Sequence, residues 1–245
     1  NLILDVATFK FLTLGNSIME FVNQVLSTAG PPLIAIFFTS IDDTFIFFSM
    51  PGVHALSVLF AFLFFIRFKE EKNVEENESK NKKTLMDGIS YSYNFINIRI
   101  LLILTSTILF WGLTQPLIPR ISKDILDAGS GGYAILLSTG ALGAMIGSIT
   151  LPLAQSFFRN SKSIVLCITC YSITLIGLAL SKSIVLSGIF LGLGGFFHLI
   201  WFTVIIILLQ TLPDENHRGR VVGLFFTFVQ LYGLGFIIGG ALGDT

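Results

Sequence analysis

The sequence predicts an all-α integral membrane protein built as a polytopic helix bundle. Three observations carry that prediction. Charged residues make up 12% of the 245-residue chain and hydrophobic residues 53%, whereas a soluble domain carries about 25% charge. So few charges could not cover a water-facing surface without large apolar patches. Seven apolar stretches are each long enough to cross a bilayer core, which takes about 20 residues. None alternates apolar with polar residues as barrel strands do, so backbone groups inside lipid must be satisfied by helices.

The expected spans are 18–40, 46–66, 99–119, 132–157, 163–181, 184–209 and 221–243. Asp42-Asp43-Thr44 and Ser181-Lys182-Ser183 read as tight turns between spans. The connection after the second span is different. "RFKEEKNVEENESKNKK", residues 67–83, is rich in Glu, Lys and Asn and reads as a solvated linker. "TLMDGISYSYNFINIR" follows with apolar residues near helical spacing, as expected for a segment lying along a membrane interface. This predicts three parts: 1–66 with two spans, 67–98 as charged linker and interfacial segment, and 99–245 with five spans.

Charge orients the bundle. Twelve of the 15 basic residues fall on one set of sides, among them Lys10, the 67–99 cluster, Arg159, Lys162, Arg218 and Arg220. Only Arg120, Lys123 and Lys182 fall on the other. The positive-inside rule places the first set in the cytoplasm, including the linker and the 213–220 loop. Net charge is zero, so nothing points to nucleic acid. No stretch has the basic head and small-residue cleavage site of a signal peptide. Cys167 and Cys170 lie within an apolar run with no nearby His or second pair; they read as small packing residues rather than a metal or redox site. No cofactor is expected.

"LPDENHRGRVVGL" at 212–224 is similar to a cytoplasmic loop of the major facilitator superfamily, of Pro-Asp-x-x-x-Arg-Gly-Arg type. "GNSIMEFVNQVLSTAGPPLIAI", with its Gly30-Pro31 step, resembles the fifth helix of the branch that exports drugs, macrolides and siderophores. "DGISYSYNFINIRILLIL" resembles the lead-in to the seventh. The resemblance covers nearly the whole chain. It implies that the seven spans are helices five to eleven of twelve, and that the chain is a piece of a longer protein. It also implies alternating access, export from a bacterial plasma membrane, proton coupling, and a monomer when full length. The chain departs from the exporter pattern in having a single Gly-Pro step, and "SFFRNSKS" lacks the family's gating charges.

Polar side chains inside a span are costly and mark candidate sites. Trp111 and Gln115 lie four apart; His198 and Trp201 lie three apart; Gln230 is mid-span; Glu20 is the acidic residue within a span. Together they could line a cavity for an amphipathic, partly aromatic small molecule, with rings stacking and amide or imidazole groups hydrogen-bonding. Each could instead bond a neighbouring helix, and Glu20 could be a snorkelling or gate-pairing carboxylate. His54, beside Pro51-Gly52, reads as structural. Asp214, Arg218 and Arg220 could pair across a cytoplasmic gate or simply hold topology. Glycines four apart (143 and 147, 188 and 192, 235, 239 and 243) read as sites of close helix approach. An intramembrane enzyme would need paired catalytic groups that no span holds. A receptor or assembly subunit of similar fold is the other alternative. The lipid bilayer, a small-molecule substrate and protons are the expected partners.

Overall fold

A computed structural model of the chain describes residues 11–26, 55–60, 62–63, 85–158 and 161–243. Contacts divide the chain into two units, residues 1–28 with 84–245, and residues 29–83. In the second unit the described residues, 55–60 and 62–63, are helical and exposed. The Gly30-Pro31 step, Asp42-Asp43-Thr44, His54 and the 67–83 stretch lie outside the described residues, as do most of the first two expected spans.

In the first unit the described residues form helices and no strand. They are α1 (residues 11–26), α2 (Leu85–Asn94), α3 (Ile96–Ile125), α4 (Gly129–Leu153), α5 (Ser161–Leu180), α6 (Ile184–Thr211) and α7 (Glu215–Gly243). Five of these, α3 to α7, are long and apolar enough to cross a membrane. They coincide with the last five expected spans, apart from their ends. Leu180, Val185 and Ile237 are among many large apolar side chains that point outward. That outward face suits lipid and would be a liability in water.

α6 is the hub. Of its most apolar stretch 56% is buried, against 22–33% in the other four. It packs between α4 and α5. The α4–α6 contact is made backbone to backbone. A methyl added at Gly143 would overlap the Gly192 carbonyl, and one at Gly195 would overlap the Gly140 carbonyl. Lipid tails are as apolar as Leu, so helices gain little by hiding apolar side chains from them. Close backbone approach through small residues supplies the dispersion contact instead.

α3 and α7 are discontinuous. In α3 the hydroxyls of Thr105, Ser106 and Thr107 donate to the carbonyls of Leu101, Ile103 and Leu104. Around them the backbone tightens: Ser106 N–H reaches Ile103 O at 3.0 Å and Leu109 N–H reaches Ser106 O at 3.1 Å. Such back-bonding bends a helix. A second irregularity falls at Gln115-Pro116, where the proline ring removes a donor. In α7 the break is at Gln230, whose N–H bonds to Thr227 O at 3.2 Å. The middle segment of α3, Ile108–Thr114, pairs with the second half of α7, Leu231–Gly243. Methyl groups at Gly112, Gly235 or Gly239 would overlap the carbonyls of Tyr232, Leu109 and Leu113.

The segment expected along a membrane interface is helical over Leu85–Asn94, as α2. One extended residue, Phe95 (φ −96°, ψ 101°), separates it from α3. The turn keeps its bonds, because Phe95 N–H still reaches Tyr91 O and Arg99 N–H reaches Phe95 O. α3 therefore begins at Ile96, three residues before the expected start. Arg99 fits inside it because its guanidinium folds back over the Tyr93 ring, 5.2 Å from the centroid.

Candidate substrate cavity

A cavity of about 420 Å³ opens between α1, α3, α4, α6 and α7. Its floor is the glycine seam, where Gly140 and Ala144 of α4 meet Gly195 of α6. Its walls are aromatic, with Trp111 from α3, Phe202 from α6 and Tyr232 from α7. Its polar groups are Glu20 and Gln24 from α1, Gln115 from α3 and His198 from α6. On α6 the lining follows one stripe, Leu191, Gly195, His198, Leu199 and Phe202, at helical spacing.

His198 is the best-surrounded of these groups. Its ring stacks on Trp111 (centroids 4.5 Å, planes 15° apart) and lies parallel to Phe202 at 5.9 Å. Tyr171 and Trp201 approach it at 5.6 and 5.3 Å, the latter edge-on. Yet His198 Nε2 is buried without a hydrogen-bond partner, and so are Tyr171 Oη and Trp201 Nε1. A buried polar atom left unpaired costs about 1–3 kcal/mol, so three in one neighbourhood is an uncommon concentration.

Of the six residues expected to bind substrate, the structure brings four to this cavity: Glu20, Trp111, Gln115 and His198. Trp201 is fully buried in the core beside it. Gln230 is exposed at the α7 break. Sequence reasoning passed over Tyr232, Phe202 and Gln24 as lining residues, and Tyr171 as a neighbour.

A larger groove of about 690 Å³ runs outside the α4–α6 seam. Its lining is apolar except for Thr139, whose hydroxyl already donates to Leu136 O at 2.9 Å. It offers no group to orient a ligand, so the smaller, polar cavity is the candidate site.

Residues 213–220, expected as a loop, are instead helical from Glu215 as the first turns of α7, and with Asp214 they form a second polar cluster away from the cavity. Asp214 starts the helical part of α7, its carbonyl accepting from His217 and Arg218 N–H at 2.9 and 3.0 Å. Tyr91 of α2 is docked against it. The Tyr91 hydroxyl donates to Asp214 Oδ2 at 3.3 Å and accepts from Asp214 N–H at 3.2 Å. Its ring stacks on His217 at 4.0 Å, planes 5° apart. Gly88 lets α2 come down on the stem of Arg220, since a methyl there would lie 2.8 Å from the Arg220 Cβ. Arg218 is exposed.

Helices long and apolar enough to cross a membrane surround a cavity that is partly aromatic and partly polar, an arrangement that suits a membrane carrier of small molecules. Comparison with known families gives the same class: the Major Facilitator Superfamily description matches residues 1–240. The chain belongs to the major facilitator superfamily, and is a membrane transporter rather than an enzyme. No curated protein and no solved structure matches it.

Proposed function

We propose that this transporter exports an amphipathic small organic molecule of drug, macrolide or siderophore type by alternating access, driven by the proton gradient across a bacterial plasma membrane. The observation that carries the reading is the cavity, in which Trp111, Phe202 and Tyr232 surround four polar side chains. Its volume lies within the range of small-molecule sites, about 300–1,000 Å³. The rings offer stacking to a flat apolar ligand; Gln115 and His198 offer hydrogen bonds to its polar edge. Glu20 is the acidic residue on the wall and is the group available to take a coupling proton or face a cationic ligand. Asp214, which caps α7, and Arg218 and Arg220 in its first turns are the residues assigned to the cytoplasmic gate. Export is favoured over import by the likeness of residues 15–36 to the fifth helix of the exporter branch.

The test is efflux of a lipophilic aromatic dye, ethidium, from cells expressing the protein. Trp111→Ala and His198→Ala each lower efflux by about tenfold at unchanged membrane abundance, the equivalent of about 1.4 kcal/mol. Full efflux in both variants would overturn the cavity assignment. Glu20→Gln abolishes the dependence of efflux on an imposed pH gradient; a retained dependence removes Glu20 from coupling.

A further inference from the structure

Trp111 and His198 form part of the cavity wall, whereas Tyr171 and Trp201 stand behind it. Tyr171 comes from α5, a helix that contributes no lining residue to the cavity. It reaches α6 because of Gly194. A methyl at that position would lie 3.0 Å from Thr174 Oγ1 and 4.0 Å from the Tyr171 ring. Gly194, His198 and Trp201 follow one another at four and three residues, on adjoining positions of one helix face. The Trp111 ring lies flat against His198 and 6.3 Å from Tyr171. Each of the three side chains gathered around the His198 ring has a buried polar atom with no partner: Tyr171 Oη, His198 Nε2 and Trp201 Nε1.

We propose that Tyr171, His198 and Trp201 form a polar subsite, covered by Trp111, that takes a neutral oxygen acceptor of the substrate. This rests on the reading of the cavity as the substrate site and names which substrates it prefers. The chemistry follows from the donor inventory. The Trp201 indole N–H can only donate, while the Tyr171 hydroxyl and the His198 nitrogen can take either role. A group shared among them must therefore accept. It is neutral, because among the described residues that line the cavity there is no Lys or Arg to compensate a buried anion. A carbonyl or ether oxygen on an aromatic frame meets these conditions. The aromatic frame stays on the cavity side and stacks where Trp111 now stacks. A site built to hydrogen-bond an oxygen discriminates strongly against an analogue lacking it, because its own polar groups then stay unpaired.

The chain contains two tryptophans, and both belong to this neighbourhood. Intrinsic fluorescence is therefore a direct reporter. The purified full chain in lipid nanodiscs is titrated with 9-fluorenone and with fluorene, which differ in shape only by the ketone oxygen. Fluorenone binds on the order of three- to tenfold more tightly, the worth of one well-made hydrogen bond. Tyr171→Phe keeps the ring and brings the ratio close to one. Trp201→Phe does the same, with Trp111 as the remaining reporter. A ratio near one in the unaltered protein, or equal weakening of both probes by Tyr171→Phe, overturns the subsite; a resident water or a packing role would produce those results. If neither probe quenches the unaltered protein, the substrate reading of the cavity fails first.

Discussion

Tyr91 shows how much a single side chain does in this chain. Its hydroxyl both gives to and takes from Asp214, and its ring covers His217. Tyr91→Phe keeps the stacking and removes both hydrogen bonds. The expected loss is about 1 kcal/mol from the α2–loop contact, read as faster protease cleavage near residue 214 with little change in global unfolding. Arg218 tests the loop differently. It is exposed, so Arg218→Glu leaves the fold alone; if the loop works as a gate, transport falls while membrane abundance stays. Equal losses of both would mean that the charge acts only on topology. At this scale the sequence was partly legible. Trp111, Gln115, His198 and Glu20 stood out because Trp, His and acidic residues are scarce inside spans. Tyr232 and Phe202 did not, since one ring among 25 phenylalanines and five tyrosines carries no signal. Trp201 was assigned to the wall because it shares a face with His198. Three residues turn a helix about 300°, leaving Trp201 about 60° off the lining stripe.

Among the elements, the glycine seams were the most legible feature. Spacing of four marked Gly143, Gly147, Gly188 and Gly192 as contact positions, and each has neighbours within contact distance. The sequence did not say which helix each would meet, because that depends on the order in which spans pack. Gly143→Ala forces α4 off the Gly192 backbone. The expected destabilisation is about 1–3 kcal/mol, typical of overpacking, and is seen as a lower melting temperature in detergent. Gly233→Ala is the control. Nothing lies within 4 Å of a methyl there, and a helical alanine is neutral or up to about 1 kcal/mol better than glycine. The break at Gln230 had no signature, since no proline or serine cluster stands near it. The α3 breaks did carry signals: the run Thr105-Ser106-Thr107 and Pro116.

For the whole molecule, composition alone was enough for the class, since a chain with 12% charge has few alternatives to a bilayer. The cavity could not be read at this scale. Its lining comes from five helices, and no periodicity within one helix states which neighbour faces it. Orientation remains a prediction from basic-residue bias. A cysteine placed at Asn216 should react with a membrane-impermeant maleimide only from the cytoplasmic side, and one at Lys182 only from outside, in a background lacking Cys167 and Cys170. Reversed labelling would invert the assigned topology and make the 213–220 loop external.

The paired segments Ile108–Thr114 and Leu231–Gly243 carry a mechanical consequence. Each is set off from the rest of its span by an irregular turn, and the two are fastened backbone to backbone at three glycines. Bulky side chains can slide past one another by changing rotamer; a carbonyl seated on a glycine cannot. The pair should therefore tilt as one paddle, bending at residues 106–107 and 230. It carries Trp111 and Tyr232 on its surface. Two walls of the cavity would then advance or retreat together, changing its width without repacking the α4–α6 spine.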